Sequence, residues 1–169
     1  MSPARALAKW DVMHWEPWHY DSPRERALRS HRARYWRAMS QENVAVVRQM
    51  YDAFDSGDAE GAVDHFAPDV TVDATTRPDG EVGKGREALV RIIASWVDSF
   101  DDWREEIEAV RDLGDHVLVA ARQIGRGKGS GLETELRYAL LYRIEDGKIS
   151  SMTFYSDVAD ALEAVGLRE

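Results

Sequence analysis

Five histidines and no cysteine narrow at once the chemistry open to this 169-residue chain. Without cysteine there is no thiolate nucleophile, no disulfide, no iron–sulfur cluster and no cysteine zinc site. His65 and His116 stand alone, with no second ligand at helical spacing, while His14, His19 and His31 fall in a region of different composition. No metal centre is therefore expected. A glycine-rich stretch, GRGKGSG at residues 125–131, has the composition of a phosphate cradle. It lacks the Gly-x-x-x-x-Gly-Lys-Ser/Thr order and opens no helix, so a hairpin loop is the better reading. Carboxylates and arginines remain. His116, Arg122, Glu133, Glu135 and Arg137 lie in segments of strand periodicity, and Glu133, Glu135 and Arg137 share one parity. That parity predicts a solvated face laced by cross-strand ion pairs rather than an acid–base centre.

The elements that position such residues follow from the apolar spacing. Val44, Val47, Met50, Tyr51 and Phe54 form one helical stripe, with Ser40 as the expected N-cap. Ser56-Gly57-Asp58 closes that helix and caps a short second one bearing Ala59, Val63 and Phe66. Pro68 stops it; residues 70–72 read as a short strand and residues 76–84 as a loop. A third helix over residues 86–100 buries Leu89, Ile93, Trp96, Val97 and Phe100. The apolar period then changes from 3.6 to 2. Residues 103–110, 116–124, 132–144 and 149–156 predict strands, Asp146-Gly147 marks a tight hairpin, and residues 158–165 a last short helix. Helices followed by an antiparallel meander predict an α+β domain.

The net charge of −9 is unevenly spread. Residues 1–38 carry eight basic and four acidic groups, a charge of +4, and hold four of the six tryptophans. Residues 22–38 read as a basic helix. Three readings stand for this segment: an arm touching nucleic acid or an anionic membrane, an extension packed on a partner subunit, or the product of an upstream start, with Met39 the natural beginning. We favour the last, which makes residues 39–169 the working domain and residues 1–38 an N-terminal extension outside the natural protein. The acidic balance, 31 Asp and Glu against 22 Lys and Arg, argues against a nucleic-acid partner. No apolar run approaches the roughly 18–20 residues of a membrane span, nor does the front segment hold the apolar stretch of a secretory signal. A cytoplasmic domain with no membrane partner is expected.

Several segments, taken in order, resemble one family. NVAVVRQMYDAFDSGD (residues 43–58), HFAPDVTV (65–72), GKGREAL (83–89), YALLYRI (138–144), DGKI (146–149) and ADALEAVGL (159–167) are similar to successive pieces of SnoaL-like proteins. These form a branch of the nuclear-transport-factor-two-like superfamily, and the resemblance spans about residues 40–167. It implies a cone-shaped, curved, mostly antiparallel sheet packed on three N-terminal helices and enclosing an apolar cavity. Ketosteroid isomerases, polyketide cyclases, scytalone dehydratase and limonene epoxide hydrolase share this fold with members of no known reaction, so fold alone does not give function.

Residue by residue, Tyr51 matches the tyrosine that donates to the developing oxyanion in ketosteroid isomerases; it also belongs to the apolar stripe of its helix. The isomerase base corresponds to Ala74, with Asp73 one position earlier. A one-residue offset turns a strand side chain to the opposite face, so Asp73 serves as base only if the strand slips or bulges. The second oxyanion acid corresponds to Leu140, a departure from isomerase chemistry. Neither the cyclase aspartate nor the epoxide-hydrolase Asp-Arg-Asp relay has a secure counterpart. The parity of Leu136, Tyr138 and Leu140 matches the family's cavity side, with Met152, Phe154 and Ser156 on the last strand and Phe66 and Trp96 completing the expected pocket. Such walls suit a hydrophobic or polycyclic small molecule. The resemblance implies no cofactor, and a homodimer paired through the sheet face. Two functions fit: a cofactor-free isomerase, cyclase or hydratase in which Tyr51 polarises a carbonyl and Asp73 moves a proton, or a non-catalytic ligand-binding or dimerisation module.

Overall fold

The structure, a computed structural model, describes residues 31–167, with side chains from residue 41 onward. The readings made for residues 1–30, including most of the basic helix, lie outside the described residues. Helix α1 (His31–Asp55) runs unbroken through Met39 and Ser40. Ser40 is therefore not an N-cap; residues 31–55 contain neither glycine nor proline to stop the helix earlier. At its far end the Asp58 amide donates to the Ala53 carbonyl at 2.8 Å and the Gly57 amide to Phe54 at 2.9 Å, closing the turn as expected. Asp58 then caps α2 (Ala59–Asp64) by accepting from the Gly61 amide at 2.9 Å.

Strand β1 (Phe66–Asp73) is longer than the expected residues 70–72 and takes in Phe66, which the helical reading had assigned to α2. Part of the expected loop pairs with it as β2 (Val82–Lys84), ahead of α3 (Arg86–Val97). The third helix thus follows two strands instead of closing an N-terminal helical block. Then come β3 (Arg104–Asp112), β4 (His116–Arg126), β5 (Glu133–Glu145), β6 (Lys148–Tyr155) and α4 (Val158–Ala164). The six strands lie in the order β2-β1-β6-β5-β4-β3, antiparallel except for the parallel β1–β6 pair. Asp146 and Gly147 make the β5–β6 turn with φ of 51° and 72°, the left-handed pair that an Asp-Gly hairpin requires. Among the described residues, no helix is long and apolar enough to cross a membrane.

Alternation decides what each sheet face does. Val117, Val119 and Ala121 of β4, Tyr138, Leu140 and Tyr142 of β5, and Met152 and Phe154 of β6 pack with Val47, Met50, Tyr51 and Phe54 of α1 in the main core. Burying one such large side chain contributes roughly 1.5–3 kcal/mol. On the opposite face Leu118, Ala139 and Leu141 are covered by Ala161 and Leu162 of α4. Further along the same strands that face is charged. Arg122 pairs with Glu106 and lies 3.7 Å from Glu135, while Arg137 reaches Glu108 and Glu135, each at 3.1 Å. These are the cross-strand pairs predicted for the solvated parity.

Candidate functional site

Strand β3 brings an acid to the inside of the sheet. Trp103 and Glu105 are buried beside exposed Arg104, because side chains along a strand alternate between faces. Glu105 is opposite Gln123 of β4, and Glu106 opposite Arg122, so the two adjacent glutamates face apart. Glu105 is 3% exposed and lines an inner cavity of about 30 Å³ together with Phe66, Trp96, Tyr138, Leu140, Met152 and Phe154. That volume has room for about two water molecules. An outer cavity of about 110 Å³, lined in part by Leu136 and Ser156, shares Arg77, Trp96, Tyr138 and Phe154 with the inner one. These four side chains form the partition between the two spaces.

The electrostatics of the inner cavity centre on Glu105. Burial penalises its charged form and pushes the carboxyl up to about 8, against the opposing pull of the nearby Tyr138 hydroxyl and the Arg77 cation. Its Oε1 has no hydrogen-bond partner. Tyr138 lies within hydrogen-bonding reach of the same carboxyl, and burial with Glu105 beside it raises the phenol well above its ordinary value. Gln123 accepts from the Trp96 indole at 2.6 Å, which fixes one wall of the partition, and leaves its buried Nε2 without a partner. Arg77 extends from the β1–β2 loop between two aromatic faces, its guanidinium carbon 3.8 Å from the Phe154 ring centre and 4.7 Å from that of Trp96. Desolvation lowers it to about 10, so the group carries its charge at neutral pH.

Tyr51 and Asp73 fall in different places. Tyr51 is fully buried in α1, and its hydroxyl lies 2.8 Å from that of Tyr142, the two rings edge to face at 6.3 Å. Desolvation raises its phenol well above the usual range, with Tyr142 and Glu105 adding to the effect. It stands behind the cavity wall, one hydroxyl removed. Asp73 is opposite Thr153 of β6, while its neighbour Val72 is opposite inward Met152. The Asp73 side chain is thus on the outer parity, where it accepts from the Thr75 amide at 3.0 Å and the Thr75 hydroxyl at 2.6 Å. The irregularity between β1 and β6 lies before Thr71 and does not turn it inward. Ala74, fully buried, takes the inward position.

Glu105, Gln123 and Arg77 were not singled out from the sequence. For Glu105 a signal existed: Trp103 and Ile107 flank it at spacing two, on the apolar parity of a predicted strand. Arg77 carries none, since a loop residue finds its partners only through tertiary contacts. Among the described residues no group of three or more histidine, aspartate or glutamate side chains is placed to hold a metal ion.

The arrangement of helices around this mostly antiparallel sheet is the nuclear-transport-factor-two-like fold. The chain belongs to the SnoaL-like domain family, whose sequence model matches residues 47–152. Among solved structures it is similar to a putative SnoaL-like polyketide cyclase from Jannaschia sp. CCS1, with 20% identity over 78% of this chain and 96% of that one and a TM-score of 0.61. A protein of ketosteroid isomerase-like fold from Catenulispora acidiphila, crystallised with trimethylamine, shows 24% identity over 72% and 92% of the two chains, at a TM-score of 0.56. A Mycobacterium tuberculosis protein in complex with estradiol-17β-hemisuccinate shows 21% identity over 69% and 95%, at 0.54. Curated proteins give no match.

Proposed function

We propose that this protein is a cofactor-independent acid–base catalyst for a small hydrophobic carbonyl compound, with Glu105 as the group that moves the proton. The observation that carries the reading is a carboxyl shut inside an apolar cavity, with one oxygen unpartnered and a value near 8. A group titrating close to neutral pH serves both as acid and as base. The ionised fraction of Glu105 takes a proton from the carbon beside the substrate carbonyl, the electron pair of that C–H bond becomes the enolate, and the Tyr138 hydroxyl donates to its oxygen. Glu105 returns the proton at another carbon of the conjugated system, and the net result is isomerisation. Tyr51 supports the site from behind through Tyr142, and the proton-moving role first considered for Asp73 passes to Glu105. The steroid ester carried by the Mycobacterium relative supports a hydrophobic ligand. The reading includes a homodimer formed through the sheet face.

The smallness of the inner cavity, about 30 Å³, favours a second reading, a non-catalytic ligand-binding or dimerisation module whose buried polar groups are structural. Deuterium exchange of the α-protons of cyclohexanone in D2O, followed by NMR, separates the two. Catalysed exchange that drops by about 10²–10⁴-fold in Glu105→Gln supports the catalyst. Exchange no faster than in buffer supports the module.

A further inference from the structure

The acid–base reading leaves Arg77 without a role. Its loop is closed by the Ala74 amide donating to Glu81 at 3.0 Å and the Arg77 amide to Ala74 at 2.9 Å, and tied to β6 by the Thr76 hydroxyl, which donates to the Phe154 carbonyl at 2.8 Å. Gly80 makes the closure possible, since a Cβ there would lie 1.8 Å from the Ala74 carbonyl oxygen. A fixed loop thus delivers a long cationic side chain to the partition between the two cavities.

The surroundings of that cation are unlike those of six other arginines among the described residues. Arg86, Arg91, Arg122, Arg126, Arg137 and Arg143 each have a carboxylate within ion-pairing distance. Arg77 has no ion pair and no side-chain hydrogen bond among the described residues, and its Nε is buried without a partner. The Trp96 and Phe154 faces attract the charge but accept none of the five guanidinium N–H donors. Glu105, the nearby acid, does not close on it as an ion pair, and at neutral pH is held mainly in its uncharged form. A partly buried planar cation with open donors, facing a space lined by apolar walls, matches the fork of a carboxylate.

We propose that Arg77 anchors an anionic group of the ligand, so that this site takes small aromatic or alicyclic carboxylates in preference to neutral molecules of the same shape. The inference rests on the ligand site described above and names its substrate class. The carboxylate sits on the Arg77 fork, and the attached ring lies against Trp96, Phe154 and Tyr138, which border both cavities.

The test is calorimetric titration of the full chain, near neutral pH, with benzoate and with benzamide, its uncharged counterpart of nearly equal shape. Wild-type protein is expected to bind benzoate at least about tenfold more tightly. Arg77→Met is expected to abolish that preference while keeping its circular dichroism spectrum, and Arg77→Lys to keep part of the preference. Equal binding of the two probes by wild type, no benzoate binding up to about 10 mM, or a preference that survives in Arg77→Met overturns the proposal. The wild-type comparison decides even if the variants fail to fold. The acid–base reading fails separately: a benzoate preference without α-proton exchange removes that reading alone, and exchange without the preference removes the Arg77 anchor alone.

Discussion

Glu105 and Glu106 are consecutive, identical in chemistry and opposite in circumstance. Glu106 points outward to Arg122, within a ladder of glutamates and arginines that water reaches. Glu105 points inward, 3% exposed, with an unpartnered oxygen and no ion pair. The outer pairs each contribute little because solvent screens them. The inner carboxyl keeps its proton because the Tyr138 hydroxyl and the Arg77 cation do not make up for the water it has lost. The acid that holds its proton is therefore an ordinary glutamate on the unusual side of its strand.

That contrast breaks most visibly under pH. In the window between about 4.5 and about 8 the folded protein holds a proton on Glu105 that the unfolded chain has released. Its contribution is thus fully present below pH 4.5 and lost as pH rises through 8. The loss is on the order of 5 kcal/mol at most. Urea unfolding across this range is expected to show wild-type stability falling with pH, and Glu105→Gln to flatten the slope; an unchanged slope in the variant would place Glu105 in water.

A smaller effect sharpens the inner side of the comparison. Tyr51→Phe leaves the Tyr142 hydroxyl without its 2.8 Å partner in a dry interior, which costs about 1–3 kcal/mol. The double change Tyr51→Phe with Tyr142→Phe is expected to recover much of that loss in a double-mutant cycle read by thermal unfolding. The smallest effect belongs outside. Glu106→Gln is expected to shift the unfolding midpoint only at low salt, the difference vanishing near 1 M salt, where the screening length is about 3 Å.

Much of the fold was legible because its signals are local. The four long strands lie within a few residues of their predicted positions, Asp146-Gly147 turned the chain where expected, and Glu135 and Arg137 joined the charged parity. The errors came where a local cue was overridden. Ser40 looked like a cap, yet the helix runs through it; Phe66 suited a helical stripe, yet it begins a strand whose neighbours are β2 and β6. At the candidate site the shared parity of Tyr138, Leu140, Met152 and Phe154 was legible from alternation and from the resemblance. Glu105 showed the same alternation without being singled out, and Arg77 carried no local signal.

Alternation, helical stripes, turn chemistry and the family of this chain are properties of neighbouring residues, and the sequence by itself determined them. What only the tertiary structure decided is which polar groups lose their water. Glu105 keeps its proton because α1, α3 and three strands close around it. Arg77 meets Trp96 and Phe154 because a loop, a helix and a strand far apart in the chain converge at one partition. Desolvation depends on everything that surrounds a group, and no stretch of residues read in isolation contains that information.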